Sequence, residues 1–271
     1  MPRSPHHASY PLGRSLSAAL RQRAGLRETG HRPWPIPARR WVMGQTWLQL
    51  LFMHWPLEPE LLRRAVPPEL PIDTFGGSAW IGITPFEVLG LRLRSTPPLP
   101  RLSRFPELNV RTYTTVEGKP GIWFLSLDAG SAAAVAAARR AYRLPYFRAR
   151  MQIARVGERL RYRSASESAD RPRAALHVEY APTGPRFTAR PGTLEHFLVE
   201  RYCLYALDDA RRVHRADIHH PPWQLQPADA AIHDNTMTAP FAIELPPAQP
   251  LLHYADRQDV VIWPLEPLAA R

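Results

Sequence analysis

The chain has 271 residues, of which 45% are hydrophobic, and it carries a formal charge of +11 at pH 7. This length and composition predict a globular protein with a sizeable core, and no apolar run reaches the roughly 18 residues that a membrane span requires. The single cysteine, Cys203, excludes an intramolecular disulfide framework and any site built from several cysteines. We therefore expect a cytoplasmic protein without a membrane partner.

Residues 1–42 differ in composition from the rest of the chain. They contain eight arginines and one acidic residue, so the remainder carries only +4 of the formal charge. This composition predicts a disordered basic extension, or translated sequence upstream of a true start at Met43. The acid-free stretch 9–27 also has features of an organellar transit peptide, and a basic arm that contacts nucleic acid is a third alternative. We expect no nucleic-acid partner, because nearly all the basic residues are arginine, as is typical of a GC-rich genome.

From residue 46 onward the pattern is one of short strands separated by turns. Strands are predicted at 46–55, 78–93, 107–116, 122–129, 149–156, 158–166, 174–181, 211–220, 223–226, 228–236 and 260–263. Helices are predicted at 60–66, 131–143 and 193–205, the last two capped by Ser131 and Thr193. No break in composition divides residues 43–271. We therefore predict a single domain of the α+β class, mainly antiparallel β.

The first candidate site lies on the strand 107–116. Alternate residues of a strand share a face, so Glu107, Asn109, Arg111 and Tyr113 line one side. An exposed strand face explains this pattern as well as a pocket wall does. If the face lies inside the protein, Asn109 and Arg111 can bind a small acid, because a guanidinium grips a carboxylate through two hydrogen bonds.

Two predicted helices supply further candidates. Arg201 falls on the apolar face of the helix 193–205, so we expect it to be at least partly buried and paired with Glu107 or Asp128. Arg139 shares a face of the helix 131–143 with apolar residues, and Tyr146 follows that helix directly. Arg139 and Arg201 are candidate ligand-binding residues. Tyr146 is either a core aromatic or a member of the site.

Other chemistries lack support in the sequence. The histidines do not follow the spacing of a helical zinc motif, so we expect no metal site. Ser126 is not part of a GxSxG elbow, and Cys203 is interpreted as a core residue. We expect no cofactor.

Several segments together resemble a known family. TWLQLLFMHWP, FPELNVRTY, KPGIWFLSLDA, RLPYFRARM and PGTLEHFLVERYCLY occur in this order between residues 43 and 265. They resemble the YqjF-like family of unknown function, which is similar in fold to acetoacetate decarboxylases. The resemblance implies a cone-shaped antiparallel barrel with a few peripheral helices and a polar pocket. It also places Glu107 at the position of the decarboxylase's active-site glutamate, so Glu107 and Tyr146 become the candidate catalytic residues.

One departure from the decarboxylase pattern bears on the chemistry. The decarboxylase has lysines after a proline, and one of them forms a Schiff base, whereas here Pro145 precedes Tyr146 and Phe147. Lys119 is the chain's only lysine, and it lies at a predicted hairpin tip. Two hypotheses remain: a pocket for a small polar or carboxylate-bearing molecule, with lysine-free acid–base chemistry if it is an enzyme, or a non-catalytic domain whose polar cluster is a closed ion-pair network. A homo-oligomer is compatible with either.

Overall fold

The computed structural model describes residues 12–99, 103–167 and 172–268. The helices are α1 (Leu12–Gly25), α2 (Pro59–Arg63), α3 (Ala132–Tyr142) and α4 (Leu194–Val199), with a 3-10 turn at Ala239–Phe241. The strands are β1 (Met43–Leu57), β2 (Thr74–Phe75), β3 (Ser78–Leu93), β4 (Arg104–Val116), β5 (Lys119–Ala129), β6 (Tyr146–Val156), β7 (Arg159–Ser166), β8 (Ala175–Pro182), β9 (Cys203–Leu207), β10 (Val213–His219), β11 (Gln226–Asn235), β12 (Leu251–Ile262) and β13 (Glu266–Pro267). Among these elements, no helix is long and apolar enough to cross a membrane.

The strands form one sheet that closes on itself twice. The first ring runs β10-β9-β5-β4-β3-β1-β12 and closes through pairing of β12 with β10. The second ring runs β5-β4-β3-β1-β12-β11-β8-β7-β6 and closes through pairing of β6 with β5. The described pairs are antiparallel except those of β5 with β6 and with β9. The expected mainly antiparallel α+β fold is confirmed.

The strands β5, β4, β3, β1 and β12 are common to both rings, so they form a wall between two cores. On β4, Leu108 and Val110 point into the core of the second ring, whereas Tyr113 belongs to the core of the first. A strand that is covered on both faces has no solvent side. The polar residues that alternate with Leu108 and Val110 therefore lie inside the protein.

Local signals located several elements correctly. The hydroxyl of Ser131 accepts a hydrogen bond from the backbone amide of Ala134 and caps α3. The β4–β5 hairpin turns at Glu117 and Gly118, which both have positive φ, as a two-residue turn of this kind requires. Gly90 also has positive φ and lies in a bulge of β3 against β1.

The expected disorder of residues 1–42 is wrong for the part that the structure describes; residues 1–11 lie outside it. The helix α1 packs on β1, β3 and β12, and the segment after it contacts β10. Gln22 is buried and donates from Nε2 to Oγ1 of Thr46 at 3.3 Å. Arg32 is also buried, and its Nη1 donates to the carbonyl of Ile218 at 2.7 Å. Composition missed this packing because long polar side chains, rather than a run of apolar residues, make the contacts.

The predicted helix 193–205 is also wrong in its second half. The helix α4 ends at Val199, and Cys203–Leu207 is the strand β9, which pairs with β10 and β5. The spacing of the apolar residues fits a helix as well as a strand, and pairing with β10 and β5 makes this segment a strand. Similarly, β12 begins at Leu251, well before the predicted 260–263, because its mixed polar and apolar sequence pairs with β1 along nearly its whole length.

Candidate functional site: a polar cluster inside the first ring

The candidate site is built on three neighbouring strands of the shared wall. On β4, Glu107, Asn109 and Arg111 point toward the first ring, and Thr84 of β3 lies directly opposite Asn109 in the register. His54 of β1 lies opposite Gly82, the register partner of Arg111. All five side chains are at most 6% exposed. We call these residues, together with Tyr113 and Tyr146, the polar cluster.

One end of the polar cluster contains Glu107 and Tyr146. Tyr146 begins β6, and its hydroxyl donates to Oε1 of Glu107 at 3.2 Å. Burial raises the pKa of Glu107 to about 8, while the hydrogen bond from Tyr146 opposes that rise. Burial and the neighbouring Glu107 raise the pKa of Tyr146 well above its usual value of 10. At neutral pH this end therefore holds a protonated carboxylic acid beside a neutral phenol.

The other end contains Arg111, whose guanidinium is buried without an acidic partner. Its Nη2 donates to the carbonyl of Leu198 at 3.2 Å, and its Cζ lies 5.2 Å from the ring centre of Phe52. Its Nε is buried without a hydrogen-bond partner, and no carboxylate of the described residues pairs with it. Glu107 is four residues away along the strand, a separation of roughly 13 Å between Cα atoms. Buried charges are normally paired, so this guanidinium has unused capacity for an anion.

His54 and Tyr113 lie beside Arg111. The Nε2 atom of His54 and the hydroxyl of Tyr113 are hydrogen-bonded at 2.7 Å. Burial, and then the positive charge of Arg111, hold the pKa of His54 well below 6.5, so this imidazole is neutral at pH 7. Gly82 leaves no room for a side chain here, because a Cβ atom would lie 2.9 Å from Cδ2 of His54. The glycine thus allows the histidine and the arginine to pack at the same place.

Several polar atoms of the polar cluster lack hydrogen-bond partners. Oγ1 of Thr84 and Oδ1 of Asn109 are buried and unpartnered, and so is Nδ1 of His54. The indole nitrogen of Trp223, which packs on Phe52 in the same core, is a further unpartnered donor. Such atoms are rare in folded proteins, and strain, a catalytic role or a bound water or ion can account for them. Thr84 and Asn109 lie between Glu107 and Arg111, whereas His54 lies beside Arg111.

Two predicted ligand-binding residues lie outside the polar cluster or are already paired. Arg201 is buried, but its Nη1 forms an ion pair with Asp73 at 2.8 Å rather than with Glu107 or Asp128. Asp128 lies opposite Leu108 and so belongs to the side of the second ring. Arg139 is exposed on α3, and its Nε donates to the main-chain carbonyl of Tyr146. The structure does not bring Arg139 into the first ring.

The polar cluster is closed to solvent in this conformation. Two surface clefts, of about 390 and 710 Å³, are lined by other residues. The cluster also includes His54 and Thr84, which we did not predict from the sequence. The alternation of Phe52 and His54 on β1 is the signal that could have pointed to the histidine. Nothing in the local sequence distinguishes Thr84 from other strand threonines.

Comparison with solved structures defines the fold class. The enduracididine biosynthesis enzyme MppR, in complex with pyruvate, is 16% identical with a TM-score of 0.56, covering 89% of this chain and 95% of that one. Acetoacetate decarboxylase from Legionella pneumophila is 12% identical with a TM-score of 0.55, covering 89% and 93%. At these identities the likeness concerns the fold alone. The protein has the acetoacetate decarboxylase-like fold.

Sequence comparison defines the family within that fold class. Residues 44–259 match DUF2071, a family described as an uncharacterized conserved protein. The uncharacterized protein YqjF of Bacillus subtilis (strain 168) is 46% identical over 230 residues, which are 85% of this chain and 94% of YqjF. The chain therefore belongs to the DUF2071 family and has a bacterial homologue. The resemblance stated from the sequence motifs is confirmed.

Proposed function

We propose that the protein binds a small carboxylate-bearing molecule inside the first ring, with the carboxylate on Arg111 and the rest of the molecule toward Asn109 and Thr84. The observation that carries this proposal is the buried guanidinium of Arg111, which has no acidic partner among the residues that the structure describes. A ligand carboxylate would complete the missing ion pair. It would also accept from Nε, the donor that now lacks a partner.

The unpartnered side chains between the two ends favour a ligand with a second polar group. Thr84 offers a hydroxyl and Asn109 an amide oxygen. A hydroxyl or oxo group two or three bonds from the carboxylate would be within their reach. Oxo and hydroxy acids of three or four carbons fit this description. The pyruvate complex of MppR is compatible with this class.

The alternative hypothesis is a closed ion-pair network. The guanidinium of Arg111, unpaired among the described residues, and the environment of Glu107 both argue against it. In such a network the carboxylate of Glu107 would be ionised and paired with an arginine. Instead its hydrogen bond comes from the neutral phenol of Tyr146, and burial raises its pKa to about 8. We infer that Glu107 is a proton donor in a site that accepts the ligand as an anion at its opposite end. We also propose a cytosolic location, in keeping with a single thiol that is buried.

Ligand-dependent stabilisation tests the carboxylate site. We expect millimolar pyruvate, lactate or acetoacetate to raise the melting temperature, and the neutral analogue acetone to leave it unchanged. A ligand at about 100 times its Kd adds about 2.7 kcal/mol to the free energy of unfolding, which is several degrees for a chain of this size. The shift should vanish in Arg111→Met and persist in Arg139→Met, which removes an exposed arginine outside the polar cluster. A shift that survives Arg111→Met, or no carboxylate-dependent shift at all, would contradict the proposal.

The same variants separate the two hypotheses without any ligand. Because Arg111 has no acidic partner, Arg111→Met removes a desolvated charge and should change the free energy of unfolding by less than about 1 kcal/mol, or increase it. Arg201→Met should cost about 3 kcal/mol, because Asp73 then loses its ion-pair partner and keeps, among the described side chains, only the hydroxyl of Thr115. Urea unfolding measures both. A closed network would instead make Arg111→Met as costly as Arg201→Met.

Borohydride trapping tests the absence of Schiff-base chemistry. The chain's one lysine, Lys119, begins β5 at the hairpin, and its Nζ lies over the ring of Trp34 at 5.7 Å. A nucleophilic amine needs a pKa lowered by a hydrophobic or cationic site. We expect no adduct at Lys119 with acetoacetate or pyruvate after borohydride treatment, as read by mass spectrometry. A trapped adduct on this lysine would overturn the lysine-free assignment.

A further inference from the structure

A second group of side chains, which carry histidine and carboxylate groups, lies on the outer face of the second ring. On β8, Leu176, Val178 and Tyr180 point into the core, so His177 and Glu179 point outward. On the neighbouring β11, a bulge between Ile232 and Asp234 shifts the register against β8. The bulged residue is His233, and the bulge puts its ring beside that of His177.

These three side chains are close enough to share one metal ion. One ligand atom from each of His177, Glu179 and His233 lies within 4.8 Å of the other two. The two imidazole rings have centres 4.5 Å apart. Ligands that bind a metal ion at 2.0–2.2 Å, as histidine and carboxylate do, lie about 3–4 Å from one another. Small rotations of the side chains are enough to reach that spacing.

The Nε2 atom of His177 supplies a second, independent observation. This atom is covered from solvent and has no hydrogen-bond partner within residues 12–99, 103–167 and 172–268. Imidazole nitrogen is a preferred ligand of zinc and other late first-row metals. The lone pair or proton on Nε2 is unused by the protein, so a metal ion would give this nitrogen a partner.

The surrounding charges are mixed. Arg161 donates from Nε to Oε1 of Glu179 at 2.6 Å, which fixes the carboxylate and leaves Oε2 as the oxygen for a metal ion. Arg163, directly opposite His177 on β7, is exposed and carries an opposing charge. Arg161 is neutralised by its ion pair, whereas Arg163 weakens the attraction for a dication. An exposed charge of this kind is screened by water and salt, so it lowers the affinity without abolishing it.

We propose that His177, Glu179 and His233 form a surface site for a late first-row divalent metal ion such as Zn²⁺, separate from the polar cluster of the first ring. Two imidazoles and one carboxylate leave at least one position of a tetrahedral ion open for water or another ligand. Hard cations such as Mg²⁺, which favour oxygen ligands and retain their own water, should not bind.

Calorimetric titration of the full, untagged chain with Zn²⁺ tests this site. We expect His233→Ala to weaken Zn²⁺ binding at least tenfold, because even the loss of an outer-shell partner costs 10- to 100-fold. His233 is exposed, so its removal leaves the fold intact. The matched control, His196→Ala on α4, should leave the affinity unchanged. Mg²⁺ at the same concentrations should give no binding heat.

Two further measurements make the test specific. Co²⁺ should give a visible absorption spectrum in the full chain that is lost in His177→Ala. Arg163→Gln, which removes the opposing charge, should tighten Zn²⁺ binding severalfold. The proposal is overturned if Zn²⁺ binds His233→Ala as tightly as it binds the unmodified chain, or if no binding is measured.

Discussion

We expect the protein to lose several kcal/mol of stability as the pH rises from 4.5 to about 8, and we expect Glu107→Gln to abolish this loss. The pKa of Glu107 is about 8 in the folded protein and near 4.5 in the unfolded chain. Between these values the folded state holds a proton that the unfolded state has released. The contribution of Glu107 to the free energy of unfolding is therefore fully present below pH 4.5, and it is lost as the pH rises through about 8. The slope is at most about 1.4 kcal/mol per pH unit, and the total is on the order of 5 kcal/mol.

Urea unfolding of the two proteins between pH 4 and pH 9 measures this difference. Glu107→Gln and the unmodified chain should be equally stable near pH 4, and the variant should be several kcal/mol more stable at pH 9. The buried histidines affect both proteins equally and cancel in the comparison. Glu158→Gln, at an exposed glutamate of the β6–β7 turn, should leave the profile unchanged. Parallel profiles for Glu107→Gln and the unmodified chain would mean that Glu107 is ionised at neutral pH.

Starting the chain at Met43 is expected to cost about 3–5 kcal/mol of stability. Asp217 is buried, and the N-terminal segment supplies two of its partners: Nε1 of Trp34 donates to it at 3.0 Å, and the guanidinium of Arg32 lies 3.8 Å away. Without them, the one charged partner that Asp217 retains among the described residues is Arg215, at 3.6 Å. A buried carboxylate that loses its partners typically destabilises a protein by this amount. Exposure of Trp263, whose indole donates to the carbonyl of Arg39, adds to the loss.

Chemical denaturation of residues 43–271 beside the full chain tests this expectation. Arg32→Ala in the full chain should reproduce a large part of the loss. Arg40→Ala, which removes an exposed arginine of the same segment, should change the free energy of unfolding by less than about 0.5 kcal/mol. If the shortened chain is as stable as the full one, residues 1–42 are dispensable for the fold.

The sequence located β4 and its polar face because strand alternation is a local property. Glu107, Asn109 and Arg111 occur at every second position, and any strand places such residues on one side. The partner of Arg201 could not be found in this way. Asp73 is 128 residues away, in the segment before β2, and only the closed first ring brings the two together. The same limit applies to His177 and His233, which meet through the register of β8 and β11.

Errors in the predicted elements have a related cause. The segment 200–207 contains apolar residues at a spacing that suits a helix, yet pairing with β10 and β5 makes Cys203–Leu207 a strand. Residues 12–42 contain seven arginines and few large apolar residues, which is typical of a disordered tail. They are ordered because buried guanidinium and amide groups find partners on the ring and because Trp41 packs on Val261 and Trp263. Hydrogen-bond partners far away in sequence leave no trace in composition.

The sequence by itself determined the mainly antiparallel α+β fold, the family and the presence of a single lysine. It also determined that Glu107, Asn109 and Arg111 share one side of a strand. Only the tertiary structure decided that this side faces an interior, because ring closure covers both faces of β4. Only the tertiary structure decided that Arg201 has an acidic partner while Arg111 has none in the described part of the chain. Strand alternation determines which side chains share a face. Which charged residues pack against that face depends on segments that are distant in the chain.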